Sequence, residues 1–385
     1  MSASERMEKT ESESAHHGSS QSPAAQSAGS GTNKVLVTGA AGWLGLALCA
    51  ALKRGLEGVP ALSAPDPNLE LRCLLRHEDD DSRLQEAAPG CQLYRGNITE
   101  AESLQDFFEG ANGAALYHCA GIIHPHRVKE FMQVNCEGAV NVFKAAARTG
   151  VKRMVVMSSN SPCGCNPYPE HIFDENSPYN PYMGYGRSKM QMELRLKELA
   201  AKEGAPELVI IRAPWFYGPY QPPRQTEFFC MVRDGRFPLL GDGTFKRSMS
   251  YTDNLAQGMI LAGTCPQAAG ETFWLADERP YTMTEIIKAV RDALEHHGIK
   301  CKQRTLRLPS LTGDIARLVD ITLQSCGLYS TKFHVLSEMN KTIACDVSKA
   351  KRVLGYAPTV ELYEGMRRSV ASLLANPVTA QELKA

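Results

Sequence analysis

Lys34-Val35-Leu36-Val37-Thr38-Gly39-Ala40-Ala41-Gly42-Trp43-Leu44-Gly45 is the stretch on which the fold turns. Residues 34–37 form an apolar run that reads as a buried strand, and three glycines at every third position follow it. A strand that reverses sharply into a helix needs backbone freedom at the turn, which glycine supplies. The helix is expected to begin near Gly42. Its first N–H groups lack intrahelical partners and carry the positive end of the helix dipole, so they suit a phosphate. Gly39, Gly42, Trp43, Leu44 and Gly45 are the expected contacts for a pyrophosphate, with Gly-x-x-Gly-x-x-Gly in place of Gly-x-Gly-x-x-Gly. The alternative is that these glycines serve only close packing of strand and helix.

Apolar runs at 35–37, 71–75, 92–94, 114–118, 154–157 and 208–211 alternate with helical stretches. Such alternation predicts an α/β fold, a doubly wound parallel sheet with helices on both faces. Residues 55–68 lengthen the link between the first helix and the second strand, so Arg76 stands 37 positions after Gly39.

A second motif lies far downstream. Tyr185-Gly-Arg-Ser-Lys189 puts a phenol and an ammonium four residues apart, on one face if the stretch is helical. A free phenol ionises near pH ~10, and a neighbouring cation favours the phenolate. The pair can exchange a proton with an alcohol or ketone while hydride moves.

Together these motifs resemble the extended short-chain dehydrogenase/reductase family (NAD-dependent epimerase/dehydratase, 3β-hydroxysteroid/sterol dehydrogenase-like branch), over residues 34–375. The resemblance implies a Rossmann cofactor domain over 34–215 and a smaller C-terminal substrate lobe over 216–375, with a return to the sheet near 250–275. Residues 1–33 are expected to be a disordered tail, and 376–385 a second tail. The resemblance also implies a Ser–Tyr–Lys catalytic set. Val155-Val-Met-Ser-Ser-Asn-Ser-Pro-Cys-Gly164 matches the loop before the tyrosine, with Ser159 on the hydroxyl position and Ser158 and Ser161 as alternatives. Gly96-Asn97-Ile98, His118-Cys119-Ala120-Gly121 and Arg212-Ala-Pro214 resemble cofactor-contacting segments, giving Asn97, Ile98, Ala120, Gly121 and Pro214 as expected contacts beside Tyr185 and Lys189. Asn135 resembles the asparagine that steadies the catalytic end of the sheet, with a buried, locally bonded helix residue as the alternative.

An acid at the end of the second strand goes with NAD, an arginine with NADP. Arg76 stands there, with Glu78 and Asp79 close behind, so NADP or NAD is the expected cofactor. Two reactions then compete. Residues 306–336 resemble the helical insertion of 3β-hydroxysteroid and sterol dehydrogenases, a lid for an apolar secondary alcohol or ketone; a plain amphipathic helix closing the lobe is the alternative. The Gly241-Asp-Gly…Arg247…Asp253-Asn254 pattern resembles nucleotide-sugar epimerases, where Arg247 would bind the substrate diphosphate; an exposed loop arginine is the alternative. The dehydratase branch places Asp-Glu where this chain has Asn160-Ser161. A non-catalytic dinucleotide-binding sensor is a third reading.

Composition sets the remaining bounds. Acidic and basic residues balance at 42 each, which gives no field for nucleic acid. Twelve cysteines lack framework or metal-ligand spacing, so reduced thiols, no metal and a cytoplasmic location are expected. No apolar run approaches the ~18 residues of a transmembrane segment. The expected partners are a small-molecule substrate and, as in many family members, a second copy in a homodimer.

Overall fold

The computed structural model describes residues 33–384. The expected N-terminal tail lies outside the described residues apart from Asn33, which opens the first strand. Seven strands form one sheet: β1 (Asn33–Thr38), β2 (Leu69–Leu75), β3 (Gln92–Arg95), β4 (Ala115–His118), β5 (Arg153–Met157), β6 (Glu207–Arg212) and β7 (Thr272–Trp274). Their order is β7-β6-β5-β4-β1-β2-β3, and every pairing is parallel. All six strands expected from the apolar runs are present. β5 is buried at each of its five positions, as a parallel strand covered on both faces must be. The winding reverses between β1 and β4, and the crevice at their carboxyl ends is where ligands bind in such sheets.

Three helices frame that crevice. α1 (Trp43–Arg54) follows β1. α2 begins as a π-helix over Phe131–Gly138 and continues as the α-helix Ala139–Arg148. α3 (Met183–Ala200) carries the Tyr–Lys motif. Beyond β6 the chain builds a second apolar core, around Phe229, Tyr251, Ile286 and Met366. Its helices are α4 (Pro223–Arg233), α6 (Met283–His296), α9 (Leu362–Ala375) and α10 (Pro377–Lys384), with Leu336 of α8 (Thr331–Glu338) at its edge, whereas α5 (Thr252–Thr264) packs on α1 and the sheet and α7 (Leu311–Ser325) packs on α8. The C-terminal residues expected to form a tail are therefore largely helical. Leu383 is fully buried in this core, and Arg233 donates to the carbonyls of Glu382 and Leu383 at 2.7 and 2.8 Å.

Asn254, which departs from the acid of the epimerase pattern, has a structural task. Its amide donates to Asp277 and to the Val360 carbonyl at 3.0 and 2.8 Å and accepts from Thr359 and Val360 N–H at 3.0 and 3.2 Å. A carboxylate could accept those bonds but could not donate the other two.

The strongest tie between α3 and the sheet is a buried ion pair. Arg212, at the end of β6, donates from Nη2 and Nε to the two carboxylate oxygens of Glu193 at 2.7 and 3.2 Å. Ser158 and Tyr179 add hydroxyl donors at 2.5 and 2.8 Å, and neither charged side chain reaches solvent appreciably. Removing one partner of such a pair strands a buried charge. Glu193→Leu is expected to lower unfolding free energy by about 3–5 kcal/mol in urea titration; a loss below about 1 kcal/mol would mean that Arg212 finds another partner or water.

Candidate active site

At the turn after β1, Gly39 has φ of 70°, and a Cβ there would stand 2.6 Å from the backbone nitrogen of Ala120. Only glycine permits that approach between the β1 and β4 turns. Gly42 caps α1, which has no side-chain cap and no acid in its first turn, so its N–H groups stay open to an anion. A Cβ on Gly42 would meet only the Gly39 carbonyl, at 3.1 Å, and would otherwise project into open space. This cradle fits the pyrophosphate of a dinucleotide. The Trp43 indole is turned away, donating to the Pro219 carbonyl at 2.7 Å, and Leu44 is core. Both offer the cradle backbone N–H alone.

Across the crevice, Asn135 accepts from Ile122 N–H at 2.8 Å and donates to the Ile122 carbonyl and Ser188 hydroxyl at 2.9 and 3.1 Å. It thereby links the turn after β4 to α3 from within a π-helical turn, a form frequent at functional sites. A Cβ on Gly121 would lie 3.4 Å from Lys189 Nζ, which donates to the Met157 carbonyl at 2.9 Å. Burial pushes the Lys189 pKa down to about 8, against opposing pulls from Glu193 and Cys119. Burial likewise pushes the Tyr185 phenol up to about 12, and the Ser159 hydroxyl beside it works in the opposite direction. Lys189 is not among the groups that move the phenol, contrary to the expected effect, because its ammonium is turned to the end of β5.

The three candidate serines separate. Ser158 faces Glu193, Ser159 faces Tyr185, and the Ser161 N–H donates to the Ser159 oxygen at 3.2 Å. The Ser161 carbonyl packs so closely on α3 that a Cβ on Gly186 would stand 2.4 Å from it. Tyr185 itself packs against Phe131 at 5.8 Å between ring centres, and Phe131 in turn against Tyr329 at 5.5 Å.

Tyr329 belongs to the link between α7 and α8, which cover this end of the site. Gln324 accepts from Gly184 N–H at 3.0 Å, in the first turn of α3, beside Met183 with its φ of 53°. The Gln324 amide donates to both oxygens of buried Asp320 at 3.1 and 3.0 Å, and His334 contacts Asp320 at 2.8 Å. Burial disfavours the imidazolium, but the Asp320 bond and the Glu338 charge prevail and raise the His334 pKa.

The remaining expected contacts scatter around the rim. Arg76 is exposed and already paired with Glu78 and Asp79 at 2.9 and 2.7 Å, so arginine and acid form one cluster at the end of β2. Asn97 spends its carbonyl on Thr99 N–H at 3.1 Å, and Ile98 packs over Gly138. Pro214 is buried between β6 and the short strand Trp215–Tyr217. Arg247 donates to the Glu338 carbonyl, while its Nε is buried without a partner. Sequence reasoning missed Glu193, Asp320 and Gln324. Glu193 had a signal, since it continues the Tyr185–Lys189 face one turn on. Among the described residues no three His, Cys, Asp or Glu side chains are grouped to hold a metal, and all twelve cysteines are free thiols.

Comparison with known proteins agrees with this architecture. The model of the family described as "NAD dependent epimerase/dehydratase family" matches residues 35–276. An uncharacterized protein of Sinorhizobium fredii, y4nL, is 52% identical over 337 residues, 87% of this chain and 94% of its own. A 3beta-hydroxysteroid-dehydrogenase/decarboxylase of Arabidopsis thaliana is 27% identical, over 69% of this chain and 63% of its own. A UDP-glucose 4-epimerase of Vibrio cholerae is also 27% identical, over 68% and 77%. Among solved structures, dTDP-glucose 4,6-dehydratase of Bacillus anthracis in complex with NAD superposes with a TM-score of 0.68 at 16% identity, over 89% of this chain and 97% of that one. The chain belongs to the NAD-dependent epimerase/dehydratase family, within the extended short-chain dehydrogenases/reductases. It is an enzyme of the oxidoreductase or epimerase kind, and its cofactor is NAD or NADP.

A lysine with its folded pKa at about 8 rather than 10.5 binds fewer protons folded than unfolded between those values. Its contribution to stability therefore rises with pH across that window. The unfolding free energy of wild type is expected to gain on that of Lys189→Met from pH 8 upward, read by urea titration at several pH values. A difference that does not change with pH would place the Lys189 pKa at its ordinary value.

Proposed function

We propose that the protein is an NAD(P)-dependent oxidoreductase that transfers hydride between nicotinamide and a secondary alcohol or ketone, with an apolar, 3β-hydroxysteroid-like substrate. The observation that carries this reading is the setting of the Tyr185 phenol. It stands near the Ser159 hydroxyl and packs against the Phe131 ring, which Tyr329 of the α7–α8 link backs in turn. Bound NAD(P) supplies the hydride acceptor or donor.

The residues divide the remaining work. Tyr185, held protonated at neutral pH by its burial, gives its proton to a ketone oxygen, and Ser159 donates a hydrogen bond to the same oxygen. Lys189, one turn along α3 with its ammonium beside Gly121 and the end of β5, reaches the nicotinamide ribose and fixes the ring's position. Backbone groups of Gly39, Gly42, Trp43, Leu44 and Gly45 hold the pyrophosphate. Asn97, Ile98, Ala120, Gly121 and Pro214 line the rest of the dinucleotide's course. Arg76 takes a 2′-phosphate if it leaves Glu78 and Asp79; with NAD, those acids take the ribose hydroxyls. The name of the Arabidopsis relative supports the steroid-like substrate. A homodimer through the outer face of α3, where Leu194 is exposed, belongs to the same reading.

A nucleotide-sugar epimerase is the second reading, favoured by the unpartnered Nε of Arg247, a donor that a diphosphate would satisfy. Screening hydroxysteroids and other apolar alcohols beside UDP-sugars separates the two. Turnover of UDP-sugars alone would replace the first reading with the second.

Tyr185→Phe is expected to lower kcat by about a hundredfold or more while dinucleotide titration stays normal. Retention of over half the activity would remove Tyr185 as the acid/base. Gly42→Val fills the cradle and should abolish dinucleotide binding measured by fluorescence titration; normal binding would move the pyrophosphate elsewhere.

A further inference from the structure

α7 is turned inside out. An amphipathic helix ordinarily buries its apolar stripe, but the face that α7 buries is Gly313, Ala316, Asp320 and Gln324. Its apolar residues point to solvent: Leu311 and Leu318 are each 64% exposed and Ile315 54%. Leu328, Phe333 and Val335 extend the exposed apolar surface across the link and onto α8. Scattered apolar side chains on a surface are ordinary, but a contiguous apolar patch on one element calls for a partner.

The charges around this patch select the partner. The stretch that leads into α7 carries Lys300, Lys302, Arg304 and Arg307, all exposed, and Arg317 and Lys332 are exposed on the helices themselves. The acids of α7 and α8 are Asp314, Asp320 and half-buried Glu338, and Glu295 at the start of the basic stretch accepts from Gln303 at 2.7 Å. Asp314 is paired with Lys341 at 2.7 Å, and Asp320 is fully buried against Gln324 and His334. The outward surface thus combines leucine, isoleucine and phenylalanine with an excess of cations, six exposed lysines and arginines over residues 300–332 against two acids in the same span. That composition suits a helix lying in the interfacial plane of a bilayer, its apolar face sunk by about 5–10 Å and its cations among anionic headgroups. Among the described residues no helix is long and apolar enough to cross a membrane, so such a contact would be peripheral.

We propose that the outward face of α7 and α8, with the cationic stretch before them, docks on an anionic lipid surface. Docking there brings the elements that cover Tyr185 against the bilayer.

Co-sedimentation of the full chain with phosphatidylcholine vesicles, with and without phosphatidylglycerol, tests this without substrate or cofactor and so independently of the reaction. Binding to the anionic vesicles is expected, weakened by added salt. The triple variant Leu311→Ser/Ile315→Ser/Leu318→Ser and the charge variant Lys302→Glu/Arg304→Glu/Arg307→Glu are each expected to reduce partitioning by about tenfold or more. Thermal unfolding checks that both remain folded, and the charge variant decides if the apolar one does not. Failure of the wild type to bind anionic vesicles, or wild-type partitioning by the folded variants, would overturn the proposal. So would an apolar variant that binds vesicles normally but sediments as a smaller species than wild type, which would assign the face to a second copy of the chain.

Discussion

Glu193 lies one helical turn after Lys189 and two after Tyr185, so the face of α3 that carries the Tyr–Lys motif also carries the carboxylate that fastens it to the sheet. Taking a carboxylate and a guanidinium out of water costs several kcal/mol per ion. The structure offsets this with bonds to both carboxylate oxygens and with the rings of Tyr179 and Trp274, which lie 5.3 and 5.8 Å from the guanidinium carbon. Ser158 is drawn into this cluster, and its neighbour Ser159 faces the phenol. One buried charge pair therefore sets both the position of the helix and the division of labour between adjacent serines.

The parts of the fold that were legible in the sequence are those written in local pattern. Strands buried on both faces appear as unbroken apolar runs, and all six expected strands lie within two residues of where those runs stand. The glycine turn was legible because a positive φ and a close backbone approach leave few alternatives to glycine. The shared helical face of Tyr185 and Lys189 was legible because spacing by four becomes adjacency on a helix.

What was not legible depends on partners distant in the chain. Gln324 meets Gly184 across 140 residues, and nothing in either local sequence announces it. The outward turning of α7 was hidden for a different reason: periodicity shows that a helix has two faces and leaves open which of them the protein covers. The C-terminal segment was misread because its anchors are one buried leucine, Leu383, and backbone carbonyls that bond Arg233 across 149 and 150 residues. Arg76 gave a half answer, since an arginine two and three residues before acids folds into a cluster with both.

The Gln324–Gly184 bond makes α7 more than a cover. Gly184 immediately precedes the phenol-bearing residue, and the chain enters the helix there through Met183 in a left-handed conformation that costs a residue other than glycine about 1–2 kcal/mol. If α7 lifts away, a backbone N–H in that turn loses its acceptor and Asp320 loses its enclosure, while the Phe131–Tyr329 contact that backs Tyr185 parts. The contacts that cover the Tyr185 end of the site and those that hold the first turn of α3 are thus one set. The arrangement works as a keystone, in which one side chain, Gln324, bears at once on the cover and on the turn that carries Tyr185.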